Sequence, residues 1–125
     1  MRPKLRVWLV FDERTKLGKG RAELLRLIDD TGSLQRAATR LAMSYRTVWG
    51  YVRELERAVG TALLEPAGRG RSGGTRLTRK GRELLGRYER FHAQVERVAA
   101  QRFRRIFGRP NGPARKRGMS RPGRD

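Results

Sequence analysis

The sequence predicts a mainly α chain with a small β-hairpin, and three observations carry that prediction. Two short helical patterns stand back to back in Ser33–Glu56, SLQRAATRLAMSYRTVWGYVRELE, with only a turn between them. A glycine-rich stretch over 66–74 separates two short segments of strand character. A long helical pattern then runs from Thr78 to about Phe107. In that order they describe a winged helix-turn-helix, with the hairpin as its wing and a long C-terminal dimerisation helix behind it. The predicted organisation is a winged domain over 1–78, the long helix over 79–107 and a basic tail over 108–125.

Taken from the start, Leu5–Phe11 (LRVWLVF) is rich in β-branched and aromatic residues and reads as a strand. Two roles are open to Trp8 within it: a stacking surface for a base, or a core or interface anchor. Its distance from the second helix of the central pair favours the anchor. Asp12–Gly20 reads as a polar loop with Gly18 and Gly20 as breakers. Arg21–Asp30 follows as a helix with Ala22, Leu24, Leu25 and Ile28 turned inward, stopped by Thr31-Gly32.

In the central pair, Leu34, Ala37, Ala38 and Leu41 mark the inner face of the first helix. Val48, Val52, Leu55 and Val59 mark that of the second. Ser33 and Ser44 each precede a helical run, where a serine oxygen can accept from an unpaired backbone N–H. The small side chains of Ala37 and Ala38 permit a close crossing. Opposite the apolar stripe of the second helix lie Arg46, Gly50, Arg53 and Arg57, flanked by Thr47 and Trp49. A solvated face is the plain explanation of such a charge run. Here Glu54 and Glu56 keep to the margins while the centre is purely basic, which suits approach to a phosphate-lined groove. By position within the motif, Arg46, Thr47, Trp49, Gly50 and Arg53 would face base edges, and Ser44 and Tyr45 would bind phosphate at the helix start.

Gly60 is expected to stop that helix, Ala62–Glu65 to form a strand and Thr75–Leu77 its partner. The intervening tip carries Arg69 and Arg71 among four glycines, which would touch flanking backbone or minor groove. A hairpin making no contact is the alternative. Gly68, Gly70 and Gly73 also spell the dinucleotide fingerprint G-x-G-x-x-G, but that motif should open a helix, and here a strand follows. In the last helix, with Thr78 as N-cap, Leu84, Tyr88, Phe91, Val95 and Val98 step by four, three, four and three residues. That is a short heptad seam, suited to pairing with a second copy of the chain; packing on its own domain alone is the other reading. His92 falls outside the seam and reads as an ordinary surface histidine. The tail, GRPNGPARKRGMSRPGRD, holds six basic residues and almost nothing apolar, so it is expected to stay disordered as an accessory basic arm.

Composition narrows the function classes. Against 31 Lys and Arg stand 12 Asp and Glu, a net charge of +19 over 125 residues, and the chain without its tail still carries 25 basic and 11 acidic residues. Double-stranded DNA is the simplest polyanionic partner; an anionic membrane is less suited, since no apolar run approaches a spanning helix. Zero cysteines and one histidine leave nothing with which to build a metal site, and no cofactor is expected. The absence of cysteine and of a signal peptide fits a cytoplasmic, nucleoid-associated location. No nucleophile–base pair or pair of convergent carboxylates marks an enzyme; Asp29-Asp30 and the helix-face glutamates read as capping and solvated groups.

The run IDDTGSLQRAATRLAMSYRTVW (28–49) resembles the N-terminal domain of the ModE-type molybdate-dependent transcriptional regulators, through Thr31-Gly32-Ser33 and Met43-Ser44-Tyr45-Arg46. It is more distantly similar to the LysR winged-helix domain. The likeness continues through LLEPAGRGRSGGTRLTRKGRELL (63–85), with a glycine-rich wing and a Leu77-Thr78-x-x-Gly81 helix start, and covers about Leu5 to Val98. One departure is Ala42, where many relatives carry glycine in the turn; a left-handed alanine there would cost about 1 kcal/mol. The resemblance implies a dimeric, sequence-specific transcriptional regulator. It also implies molybdate-binding C-terminal domains, for which this chain has no room, so the expectation is sensing by a separate protein, regulation by abundance, or another ligand. A nucleoid-associated protein coating DNA with little sequence preference is the alternative, supported by the charge and the tail but not by so well-formed a second helix.

Overall fold

The computed structural model describes residues 1–68 and 73–108. Arg6–Arg90 form one compact unit; Met1–Leu5 and the distal part of the last helix, from Phe91, form another. In chain order the elements are β1 (Leu9–Val10), β2 (Lys16–Leu17), α1 (Lys19–Thr31), α2 (Leu34–Arg40), α3 (Tyr45–Val59), β3 (Leu64–Pro66), β4 (Thr75–Leu77) and α4 (Arg79–Phe107).

The helix-turn-helix forms as its pattern requires. Leu34, Ala37 and Ala38 on α2 and Val48, Val52 and Leu55 on α3 are buried. Ser33 Oγ accepts from Arg36 N at 3.0 Å, and Ser44 Oγ from Thr47 N at 3.0 Å, so each helix has the cap expected of it. Between them Ala42 takes a left-handed conformation, φ 55°, with its N–H on Thr39 O and Met43 N–H on Ala38 O. Two bonds and the buried faces on either side thus hold an alanine where glycine would be free of strain. Gly32 and Gly60, both left-handed, end α1 and α3.

Hydrophobic burial then joins the layers. Leu25 and Ile28 of α1, Leu55 of α3, Leu63, Leu77 of β4 and Leu85 of α4 are each at most 1% exposed. Strands β3 and β4 pair antiparallel, Leu64 opposite Leu77 and Pro66 opposite Thr75, so the strand expected over Ala62–Glu65 begins two residues later. The residues before it are engaged elsewhere: Ala62 O accepts from Thr78 Oγ1 and Leu63 N–H donates to Glu56 Oε2. Gly74, at φ 76°, lies so close to Gly32 O that any Cβ would collide with it, while Thr75 N donates to the same oxygen at 2.9 Å. A glycine is required at that point for the wing to seat on the α1–α2 corner.

Four expectations are corrected at the N-terminal side. The strand over Leu5–Phe11 contracts to Leu9–Val10, and the expected loop contains its partner, Lys16–Leu17. Asp12 Oδ1 closes the turn between them by accepting from Arg14 N (2.8 Å) and Thr15 N (2.7 Å), bonds that hold its carboxyl below the usual carboxylate range. Helix α1 starts at Lys19, so Gly20 lies inside it. Trp8 is not a core residue: alternation turns Val7, Leu9 and Phe11 inward, and Trp8 is left 52% exposed.

Helix α4 opens as expected, with Gly81 N donating to Thr78 Oγ1 at 3.0 Å. Its packing differs from the seam pattern. Leu85 and Tyr88 are buried in the unit's own core, Leu84 is half-buried against it, and Tyr88 Oη donates to Val7 O at 2.8 Å. Leu84 and Tyr88 are therefore core contacts of this chain, and the unit extends to Arg90, twelve residues beyond the boundary expected at 78. His92, expected at the surface, keeps only 14% of its side chain exposed, with Nδ1 3.5 Å from Glu96 Oε1. The tail beyond Gly108 lies outside the described residues. No helix among the described residues is long and apolar enough to cross a membrane.

Candidate nucleic-acid interface

Helix α3 is held from beneath by Val48, Val52 and Leu55, so its opposite face projects from the unit. Tyr45, Arg46, Thr47, Trp49, Gly50, Arg53 and Arg57 are all exposed there, Trp49 at 47% and the Arg53 side chain at 56%. Ser44 stands at its N-terminus, Oγ accepting from Thr47 N and donating to Thr47 Oγ1 at 2.8 Å. The first-turn N–H groups and the helix dipole there favour an anion. The Arg53 guanidinium lies 5.0 Å from the Trp49 ring centroid, so an aromatic plane and a planar cation present one combined surface. A Cβ built on Gly50 would meet nothing within 4 Å. No packing among the described residues calls for glycine there, and its absence of side chain leaves the backbone of α3 approachable.

Two carboxylates fix this face relative to its surroundings. At 100° per residue Glu54 and Glu56 lie about 80° to either side of Arg46. Glu56 Oε2 accepts from Leu63 N (2.8 Å) and Leu64 N (3.3 Å), and its Oε1 is 3.4 Å from Arg53 Nη1. One side chain thus ties the entry of β3 to an arginine of the exposed face. On the other flank Glu54 Oε1 is 3.3 Å from Arg21 Nη1, and the Arg21 guanidinium lies 4.4 Å from the Tyr51 ring. Glu56 is accordingly no marginal solvated residue, nor is Asp29, whose Oδ1 accepts from Leu77 N of β4 at 3.0 Å.

The wing's base is thereby oriented by α1 and α3 together, while Arg69 and Arg71 at its tip lie outside the described residues. On the wing's described part, Arg76 Nε donates to Glu65 Oε2 at 2.9 Å. Arg36 and Arg40, exposed at i and i+4 on α2, are not among the expected contacts; that spacing, away from the Leu34/Ala37/Ala38 side, is the signal that marks them. No group of three or more His, Cys, Asp or Glu able to hold a metal occurs among the described residues.

Three helices, a hairpin seated against them and a projecting basic helix define a winged helix-turn-helix DNA-binding domain. Residues 21–82 match the family model of bacterial regulatory helix-turn-helix proteins of the lysR family. The chain carries a transcriptional-regulator DNA-binding domain of the LysR/ModE type. It is similar to the molybdenum-pterin-binding protein MopB of Rhodobacter capsulatus, 32% identical over 89 residues, covering 69% of this chain and 33% of that protein. It is also similar to the molybdenum transport protein ModE of Azotobacter vinelandii, 30% identical over 92 residues, covering 73% and 34%. The chain thus spans about a third of the length of these relatives.

Among solved structures, the DNA-binding domain of CbnR in complex with DNA superposes with a TM-score of 0.54 at 24% identity, over 70% of this chain and 94% of that one. Full-length CbnR, a LysR family transcriptional regulator, gives the same TM-score at 22% identity, over 68% and 28%. These likenesses show the fold.

Proposed function

We propose that α3 enters the major groove of double-stranded DNA and reads sequence there, with Arg46, Thr47, Trp49, Gly50 and Arg53 toward base edges. Ser44 and Tyr45 would hold phosphate at the helix N-terminus, and Arg69 and Arg71 the flanking backbone. The observation that carries this is the exposed, all-basic centre of α3, lying opposite a stripe at most 3% exposed. The regulator family argues for specific recognition over a nucleoid-coating role. We further propose a non-catalytic, nucleoid-located protein that binds as a homodimer, without a cofactor, and is controlled by a separate effector-sensing protein, by its own abundance or by another ligand.

Support for the dimer comes from the distal part of α4. Phe91 and Val98 are about half exposed and Val95 is half-buried, on one side of the helix, with Ile106 at 72% further along. Each such side chain gains roughly 1.5–3 kcal/mol on burial. A two-fold pair would place two α3 helices in successive major grooves about 34–36 Å apart.

Selection of duplexes from a random library, followed by affinity measurement, tests the reading. A sequence-specific regulator gives a ratio of selected to random affinity of about 10³ or more, and a coating protein a ratio near one. Sedimentation of the protein free of DNA tests the dimer: a purely monomeric species at tens of micromolar overturns it.

A further inference from the structure

The β1–β2 hairpin and the start of α1 carry a cationic cluster that the exposed face of α3 does not explain. A cavity of about 250 Å³ is lined by Trp8, Arg14, Lys16, Gly18, Gly20 and Arg21, so its charged lining is cationic throughout. Trp8 lies so closely against Gly18 that a Cβ there would collide with its ring. Lys16 Nζ stands 4.4 Å from the centroid of the same ring, a contact that favours this placement of the ammonium group. The acids of the hairpin are engaged or placed elsewhere. Asp12 accepts from Arg14 N and Thr15 N, and Glu13 lines a neighbouring cavity together with Asp12, Glu54, Arg57 and Arg14, which thus borders both cavities. Arg21 is partnered by Glu54 and donates to Lys16 O at 3.1 Å, whereas Arg14 and Lys16 are exposed and in no ion pair within 4 Å among the described residues.

The position of this cluster gives it a meaning. Glu56 holds the wing to one flank of α3, while Glu54, on the opposite flank, holds Arg21 and with it the start of α1 beside the hairpin. The wing's entry and the start of α1 are therefore tied to opposite flanks of α3, both in its C-terminal half. A helix seated in a major groove has one phosphate strand on each side, and a domain with cations on a single rim would grip one strand only.

We propose that the β1–β2 hairpin is a second DNA-backbone contact, in which Arg14 and Lys16 neutralise phosphates on the strand opposite the one approached by the wing. Trp8 acts as a positioning residue that holds the Lys16 ammonium toward that strand. The proposal rests on the seating of α3 in the major groove, and its test separates the two.

The double variant Arg14→Ala/Lys16→Ala alters two exposed side chains, and circular dichroism melting confirms that it folds. Selected and random duplexes should both lose affinity alike, by roughly tenfold per lost contact at 0.1 M salt, and the salt slope should fall by about 1 for each cation. Trp8→Ala should give a smaller loss of the same, sequence-independent kind. On the unaltered protein, phosphate ethylation should interfere on both strands flanking the groove, and one strand's interference should vanish in the double variant. An unchanged affinity and slope in the double variant, while Arg46→Ala still erases sequence preference, overturns the hairpin contact alone. A loss confined to the selected sequence overturns it too, because the cluster would then read bases. Arg46→Ala without effect on preference overturns the seating of α3, and the hairpin contact with it.

Discussion

The two faces of α3 are built from the same fifteen-residue helix and answer to opposite demands. Beneath it, Val48, Val52 and Leu55 are at most 3% exposed and join α1, α2, the wing and α4 in one core. Above it, Arg46, Gly50 and Arg53 are exposed, and Gly50 gives up helix propensity worth about 0.5–1 kcal/mol with no packing gain in return. The inner face is what a folding argument requires; the outer face makes sense only with an anionic partner present. Substitution on one face should therefore alter stability and leave recognition chemistry alone, and substitution on the other should do the reverse.

The largest expected effect is on the inner face. Leu55→Ala removes a fully buried side chain at the junction of α3 with the core and should cost 2–5 kcal/mol, roughly, in denaturant unfolding. DNA binding by the fraction that remains folded should be unchanged. A loss below about 1 kcal/mol would mean that α3 is held by its caps rather than by its stripe.

Glu56 stands at the margin between the faces and should show both effects. Glu56→Ala leaves the N–H groups of Leu63 and Leu64 without their acceptor in a half-buried setting, at a cost of about 1–3 kcal/mol. It also frees Arg53 and the wing's entry, so affinity for DNA should fall although no DNA contact is removed. Urea melts and binding titrations on the same preparation separate the two; an unaltered affinity would show that wing orientation does not depend on this carboxylate.

On the outer face, Gly50→Ala should stabilise the protein by about 0.5–1 kcal/mol, because the added methyl meets nothing and improves helix propensity. Binding to a selected duplex should weaken nevertheless if the α3 backbone approaches the groove at this position. A variant that is more stable and binds as well as the parent would take Gly50 out of the contact surface.

The difference between the faces also explains what could be read from the sequence. Ser33 and Ser44, Gly32 and Gly60, and the three-to-four-residue spacing of Val48, Val52 and Leu55 are local signals, and the helices they specify formed where expected. The second strand was hidden because its turn is closed by the Asp12 carboxylate rather than by a glycine-bearing dipeptide. Asp29 and Glu56 looked like solvated acids, since their backbone partners, Leu77 and Leu63, lie 48 and 7 residues further on. Leu84 and Tyr88 were read into a pairing seam because burial against one's own core and burial against a second copy use the same helical spacing. The three-dimensional burial of Leu84 and Tyr88, with Tyr88 Oη donating to Val7 O, distinguishes them.

The central claim is that the outer face of α3 reads sequence, and the ratio of affinities for a selected and a random duplex measures it directly. For Arg46→Ala and Arg53→Ala the account predicts unchanged melting temperature. It also predicts a loss of about 1–3 kcal/mol on the selected duplex, confined to relaxed preference at one base position for each arginine. Equal weakening of selected and random duplexes by both substitutions would contradict it, because the arginines would then be holding phosphates and some other part of the chain would be reading the bases.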